Sequence, residues 1–118
     1  MINIDNMVKH YAICALWSTT DDAGEPLDDT YDVDDIALET LADMRSDCVD
    51  FAESNAALIE STGMTDEQLG HDLWLTRNGH GAGFWDRGYG KAGDDLSAAA
   101  RVYGGVDLFA CEDGKIGG

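Results

Sequence analysis

Asp72-Leu73-Trp74-Leu75-Thr76-Arg77-Asn78-Gly79-His80-Gly81-Ala82-Gly83-Phe84-Trp85-Asp86 is the stretch on which the fold class turns. Its first six residues have a strand's composition. Asn78-Gly79 is a dipeptide favoured where two antiparallel strands reverse, and Gly83 to Asp86 can return alongside. The stretch therefore predicts a glycine-rich β-hairpin with aromatic side chains on both arms.

Downstream, Leu96, Ala99, Ala100 and Tyr103 recur at helical spacing behind Asp94 or Asp95 as cap, and Gly104-Gly105 ends the run. Val106 to Cys111 reads as a last strand, followed by the turn Asp113-Gly114. Upstream, Ile4, Val8, Tyr11 and Ala15 give an amphipathic helix over 5–17. Residues 18–31 hold the only proline and no periodic apolar face, so they read as a loop. Ala37, Leu41, Met44, Cys48, Phe51 and Leu58 predict a helix over 35–61, capped by Asp34 or Asp35 and breakable near Ser54-Asn55. Thr65 with Gln68 has the form of a capping box and predicts a short helical turn over 65–70. The expected fold class is α+β: about three helices packed on a small antiparallel sheet that contains the glycine-rich hairpin. At 118 residues the chain, 1–118, is expected to be a single domain.

Charge limits the function classes. Lysine and arginine number 7 against 24 aspartates and glutamates, for a formal net charge of -17. Direct binding to nucleic acid or to an anionic membrane is disfavoured, because both require cations to replace counterions. No apolar run is long enough for a membrane span and the N-terminus lacks a signal peptide's pattern, so a soluble intracellular protein is expected. Cys14, Cys48 and Cys111 are an odd number at wide spacing and read as reduced thiols, not as a disulfide framework.

The charge is concentrated. Residues 1–59 carry 14 acids and only 2 bases, Lys9 and Arg45. Glu39, Asp43, Asp47 and Asp50 fall four, four and three residues apart on the long predicted helix, which places them on one face. The loop before it adds Asp21, Asp22, Glu25, Asp28, Asp29 and Asp32. Such a row resembles phosphates in sign and approximate spacing. It suits a decoy that occupies the basic nucleic-acid-binding groove of another protein, with long-range attraction speeding the encounter. Reversing Asp43 and Asp47 to lysine is the direct test. The bland alternatives are a solvated helix face or a salt-adapted structural protein with no specific partner, since aspartate (18) far outnumbers glutamate (6).

The glycine-rich segment offers a rival of another class: a small enzyme or ligand-binding protein built on Arg77, Asn78, His80, Trp85, Asp86 and Arg87, which could supply acid-base and anion-binding groups. Neither a dinucleotide fingerprint nor a Walker lysine accompanies it. His10 and Cys14 lie one helical turn apart, but two ligands are not a zinc site. Asp28 to Asp34 lacks the glycine and terminal glutamate of a calcium loop. The expectation is therefore no metal, no cofactor and no enzymatic activity. Trp17, Trp74 and Trp85 read as core or hairpin-face residues. The exposed edges of a small sheet would allow a homodimer.

Two stretches carry a family resemblance. They are Ala15 to Asp22 with Gly24 to Asp28, and more specifically Gly70 to Gly88, which contains Leu-Thr-Arg-Asn-Gly-His-Gly-Ala-Gly-Phe-Trp-Asp-Arg-Gly. Together they resemble a widespread family of small acidic proteins encoded by bacteriophages and prophages. The resemblance implies viral origin and expression inside a prokaryotic host, where small acidic phage proteins of other families antagonise restriction or CRISPR systems. It supplies no catalytic residues. The leading expectation is thus a phage protein that binds a host defence or DNA-handling protein through its acidic N-terminal half.

Overall fold

The computed structural model describes residues 2–21, 23–80 and 83–118. Among these the chain forms five α-helices: α1 (Ile4–Ser18), α2 (Leu38–Ser54), α3 (Ala56–Thr62), α4 (Asp66–Arg77) and α5 (Lys91–Arg101). The only strands among the described residues are β1 (Phe109–Ala110) and β2 (Ile116–Gly117), an antiparallel pair with Phe109 opposite Gly117 and Ala110 opposite Ile116. Three single 3-10 turns, at Leu27–Asp29, Val33–Asp35 and Phe84–Asp86, lie in the connections.

The expected three helices on a sheet with a glycine-rich hairpin are therefore corrected to a mostly helical fold. Residues 72–77, read as a strand, complete the helix that Thr65 starts by accepting from the Gln68 amide. Asn78-Gly79 is not a hairpin turn but the helix's stop. Gly79, at φ +71, donates its amide to the Thr76 carbonyl, and the His80 amide donates to that of Leu75. This is a Schellman motif, whose left-handed position glycine fills without a Cβ penalty. Gly83 to Asp86, the expected return strand, makes a 3-10 turn, and Gly81 and Ala82 fall outside the described residues.

Elsewhere the boundaries shift for local reasons. The helix expected over 35–61 divides at Asn55, whose side-chain amide donates to the Phe51 carbonyl. Asp34 and Asp35 do not cap α2, which starts after Ala37. Asp32 and Asp35 instead close their own 3-10 turn, each carboxylate accepting from an amide of that turn. α5 begins at Lys91, ahead of the expected Asp94.

One core joins the helices. α1 and α4 share the most extensive contact, made close by Gly70: a Cβ built there would lie 2.2 Å from the Met7 carbonyl oxygen and 2.9 Å from the Tyr11 nitrogen. Around that crossing Met7, Tyr11, Leu69, Leu73 and Trp74 are buried, and Trp74 Nε1 donates to Ser18 Oγ at 2.7 Å. Phe84 is fully buried and stacks on Phe51 of α2, anchoring the segment after α4. The β1–β2 hairpin closes over the entrance of α2, where the Ala37 amide donates to the Ile116 carbonyl.

Candidate functional site

The end of α4 is organised around Arg77, whose side chain is only 5% exposed. Its Nη1 donates to Asp47 Oδ2 of α2 at 2.7 Å and to Tyr11 Oη of α1 at 3.0 Å. Nε and Nη2 donate to the Gly104 and Tyr103 carbonyls just past α5. One guanidinium thus ties four helices, and it also lies 5.5 Å from the Tyr103 ring centroid. Burial, opposed by Arg77, pushes the Tyr11 phenol well above its usual range. Tyr103 is likewise raised by burial and by its hydrogen bond to Asp50.

The neighbouring residues of the glycine-rich motif are similarly engaged. Asn78 Oδ1 accepts from the Val106 amide at 2.7 Å and its Nδ2 donates to the Trp74 carbonyl. Asp86 accepts from the Gly83 amide, Trp85 is half-buried with Arg101 5.3 Å from its ring centroid, and His80 enters through its backbone. Arg87 donates to the fully buried Asp72, with Nη2 2.8 Å from Oδ1. The six residues proposed from sequence as a ligand site are therefore close in sequence but divided in space. Arg77 and Asn78 face the helix junction, whereas Arg87 reaches the opposite side of α4.

On that side a polar cleft of about 310 Å³ is lined by His10, Thr65, Glu67, Gln68, His71 and Arg87. His10 Nε2 is 3.8 Å from Glu67, and Trp17, exposed on α1, lies with its ring centroid 6.2 Å from that of His71. Burial, outweighing the opposing effect of Asp72, lowers His71 from its usual range. Of these lining residues only Arg87 was anticipated, because Glu67 and His71 share a face only once residues 66–77 are one helix. Among the described residues no three His, Cys, Asp or Glu side chains are placed to share a metal ion. The Cys14 and Cys48 thiols are buried, and burial first, then Asp72 and Asp47 respectively, pushes each up to about 12.

The acidic stripe splits in two. Glu39 and Asp43 are exposed on α2 and enter no ion pair among the described residues, whereas Asp47 is held by Arg77 and Asp50 accepts from the Tyr103 hydroxyl. Glu53, not singled out from sequence, is exposed on the same face three residues beyond Asp50. In the preceding loop Asp28 and Asp29 are exposed, while Asp21 accepts from the Ala23 and Glu25 amides and Asp32 from that of Asp34. Asp22 lies outside the described residues. Glu39 to Glu53 covers about 21 Å of one helix face at 1.5 Å per residue.

No family model, curated protein or solved structure matches the chain. Among the described residues no helix is long and apolar enough to cross a membrane.

Proposed function

We propose that the protein is a non-enzymatic, bacteriophage-encoded antagonist that acts in the host cytoplasm. It occupies the basic groove of a nucleic-acid-handling or defence protein of the restriction or CRISPR type. The observation that carries this reading is the outer face of α2, where Glu39, Asp43 and Glu53 are exposed and enter no ion pair among the described residues. A row of uncompensated carboxylates costs the isolated protein self-repulsion and repays it when arginines and lysines of a partner replace water around it. Asp28 and Asp29 extend the negative surface, whereas Asp47 and Asp50 serve mainly to position α2 against Arg77 and Tyr103.

The experiment is capture of host proteins by the tagged chain at low and high salt, followed by competition of the captured protein with duplex DNA. A nuclease, CRISPR effector or restriction subunit that salt releases and DNA displaces is expected, because screening weakens exposed charge pairs. Replacing Glu39, Asp43 and Glu53 together by lysine should abolish capture while leaving the circular dichroism spectrum unchanged. Retained affinity in that variant refutes the reading. Asp47→Lys is unsuitable for this purpose, since it sets a second cation against the buried Arg77.

A further inference from the structure

Beside the acidic face lies a surface of different character. α1, the start of α2 and the 3-10 turn at Val33–Asp35 enclose an open groove of about 370 Å³. Its apolar walls come from Val8, Val33 and Leu41, and Leu38, in the first turn of α2, stands at its edge 86% exposed. No other large apolar side chain among the described residues is as exposed. The rim is charged: Lys9 and Arg45, the only two cations among residues 1–59, line this groove together with Asp5. Arg45 is held by Asp5 at 2.6 Å, and Lys9 enters no ion pair among the described residues.

The groove and its surroundings are complementary to each other. With Arg45 taken up by Asp5, Lys9 is the cation the rim offers, so an occupant that combines an apolar anchor with a carboxylate is matched to the groove. The chain itself presents that combination next to the groove. Leu38 is followed directly by the exposed Glu39, and Val33 by the exposed Asp34. In an isologous contact each residue meets its opposite number's complement in both directions. Leu38 of one copy can then enter the groove of a second, setting Glu39 against the second copy's Lys9.

We propose that the α1–α2 groove is a homodimer interface, with Leu38 as the reciprocal anchor and Lys9 and Glu39 as the reciprocal charge pair. This proposal shares Glu39 with the acidic-decoy reading but does not rest on it, and salt separates the two. Each copy carries a net charge of -17, so the copies repel at long range while the contact itself is mainly apolar. Raising salt from about 0.1 M to about 1 M shortens the screening length from about 10 Å to about 3 Å, which relieves that repulsion. Self-association should therefore tighten in the conditions that release a basic partner.

Sedimentation equilibrium of the full chain, at both salt concentrations and into the hundred-micromolar range, tests this. The expected result is a dimer whose Kd falls by about tenfold in high salt. Leu38→Glu should be monomeric with an unchanged circular dichroism spectrum, because the side chain it alters is at the surface. Lys9→Glu should weaken association, and adding Glu39→Lys should recover it. Adding Glu112→Lys, an exposed change in the turn between β1 and β2, restores the net charge equally and should not. A wild-type chain that stays monomeric, Leu38→Glu that dimerises as well as wild type, or recovery by Glu112→Lys equal to that by Glu39→Lys overturns the proposal.

Discussion

Gly70→Ala pits two effects of opposite sign against each other at the α1–α4 crossing. Helix propensity alone favours alanine over glycine by about 1 kcal/mol in a helix interior. The packing opposes it. The added methyl would sit 2.2 Å from the Met7 carbonyl oxygen, and the nearby Tyr11 nitrogen is itself only 2.9 Å away. An ordinary carbon–oxygen contact is about 3.3 Å or longer, so the helices must separate by about 1 Å. Both neighbouring atoms are backbone, so no flexible side chain can move aside. Separation loosens Met7, Tyr11, Leu73 and Trp74 together, and overpacking of a well-filled core costs typically about 1–3 kcal/mol before the propensity gain is subtracted. With a contact this short the upper end applies, which leaves a net loss of about 2 kcal/mol and a fall in Tm of roughly 6–10 °C for a domain of this size. Urea denaturation followed by circular dichroism measures it directly. A Gly70→Ala protein as stable as wild type, or more so, would show that propensity wins and that the crossing is not set by this glycine.

Asp47→Ala should cost about 2 kcal/mol by leaving the buried Arg77 without its carboxylate, a figure reduced from that of a wholly buried pair because Asp47 is 35% exposed. Asp43→Ala on the same helix should change stability by less than about 0.5 kcal/mol, and paired urea curves distinguish the two. Asp72→Asn, at a fully buried carboxylate facing Arg87, should lower the urea midpoint by the equivalent of about 2–3 kcal/mol. An aromatic disulfide reagent should label Cys111 rapidly in the native protein, with Cys14 and Cys48 reacting only on unfolding, because both are buried with thiols raised to about 12. Since those two folded pKa values lie above the ordinary 9.0, the folded state retains protons that the unfolded state releases. Stability from them is complete below about pH 9 and should decline as the pH rises toward 12. His71 is shifted the opposite way, so its contribution is present above its ordinary 6.5 and is lost as the pH falls through its lowered value. Thermal melts across that range should therefore show a plateau between the two limbs, and His71→Gln should flatten the acid limb.

The sequence was most legible where a helix has one wet face. α1 and the α2–α3 pair follow their apolar spacing, and the interruption falls at Asn55, where Ser54-Asn55 marked it. α4 was misread for a physical reason: its residues from Leu69 to Arg77, His71 excepted, are all buried, so the helix shows no amphipathic period. A wrapped helix and a central strand then have the same composition, and Asn78-Gly79 serves a Schellman stop as readily as a hairpin. The acidic face was legible in outline, because charge spacing along α2 needs no tertiary information. Asp47 and Asp50 were indistinguishable from Glu39 and Asp43 until Arg77 and Tyr103, some thirty and fifty residues away, were placed beside them. The polar cleft and the Leu38 groove depend on which helices meet, and no periodicity in one segment encodes that.

The partnership of α1 with α4 also governs how the chain comes to be folded. Tyr11 and Arg77 stand 66 residues apart, and the helix that covers α1 most fully is the fourth to be synthesised. During translation the N-terminal helix emerges with its apolar stripe uncovered and must wait for more than half the chain. Long-range pairing of this kind slows folding relative to helical proteins whose neighbours in space are neighbours in sequence. Nascent chains ending before Arg77 should remain protease-sensitive, and protection should arise in one late step once α4 and its arginine have cleared the ribosome.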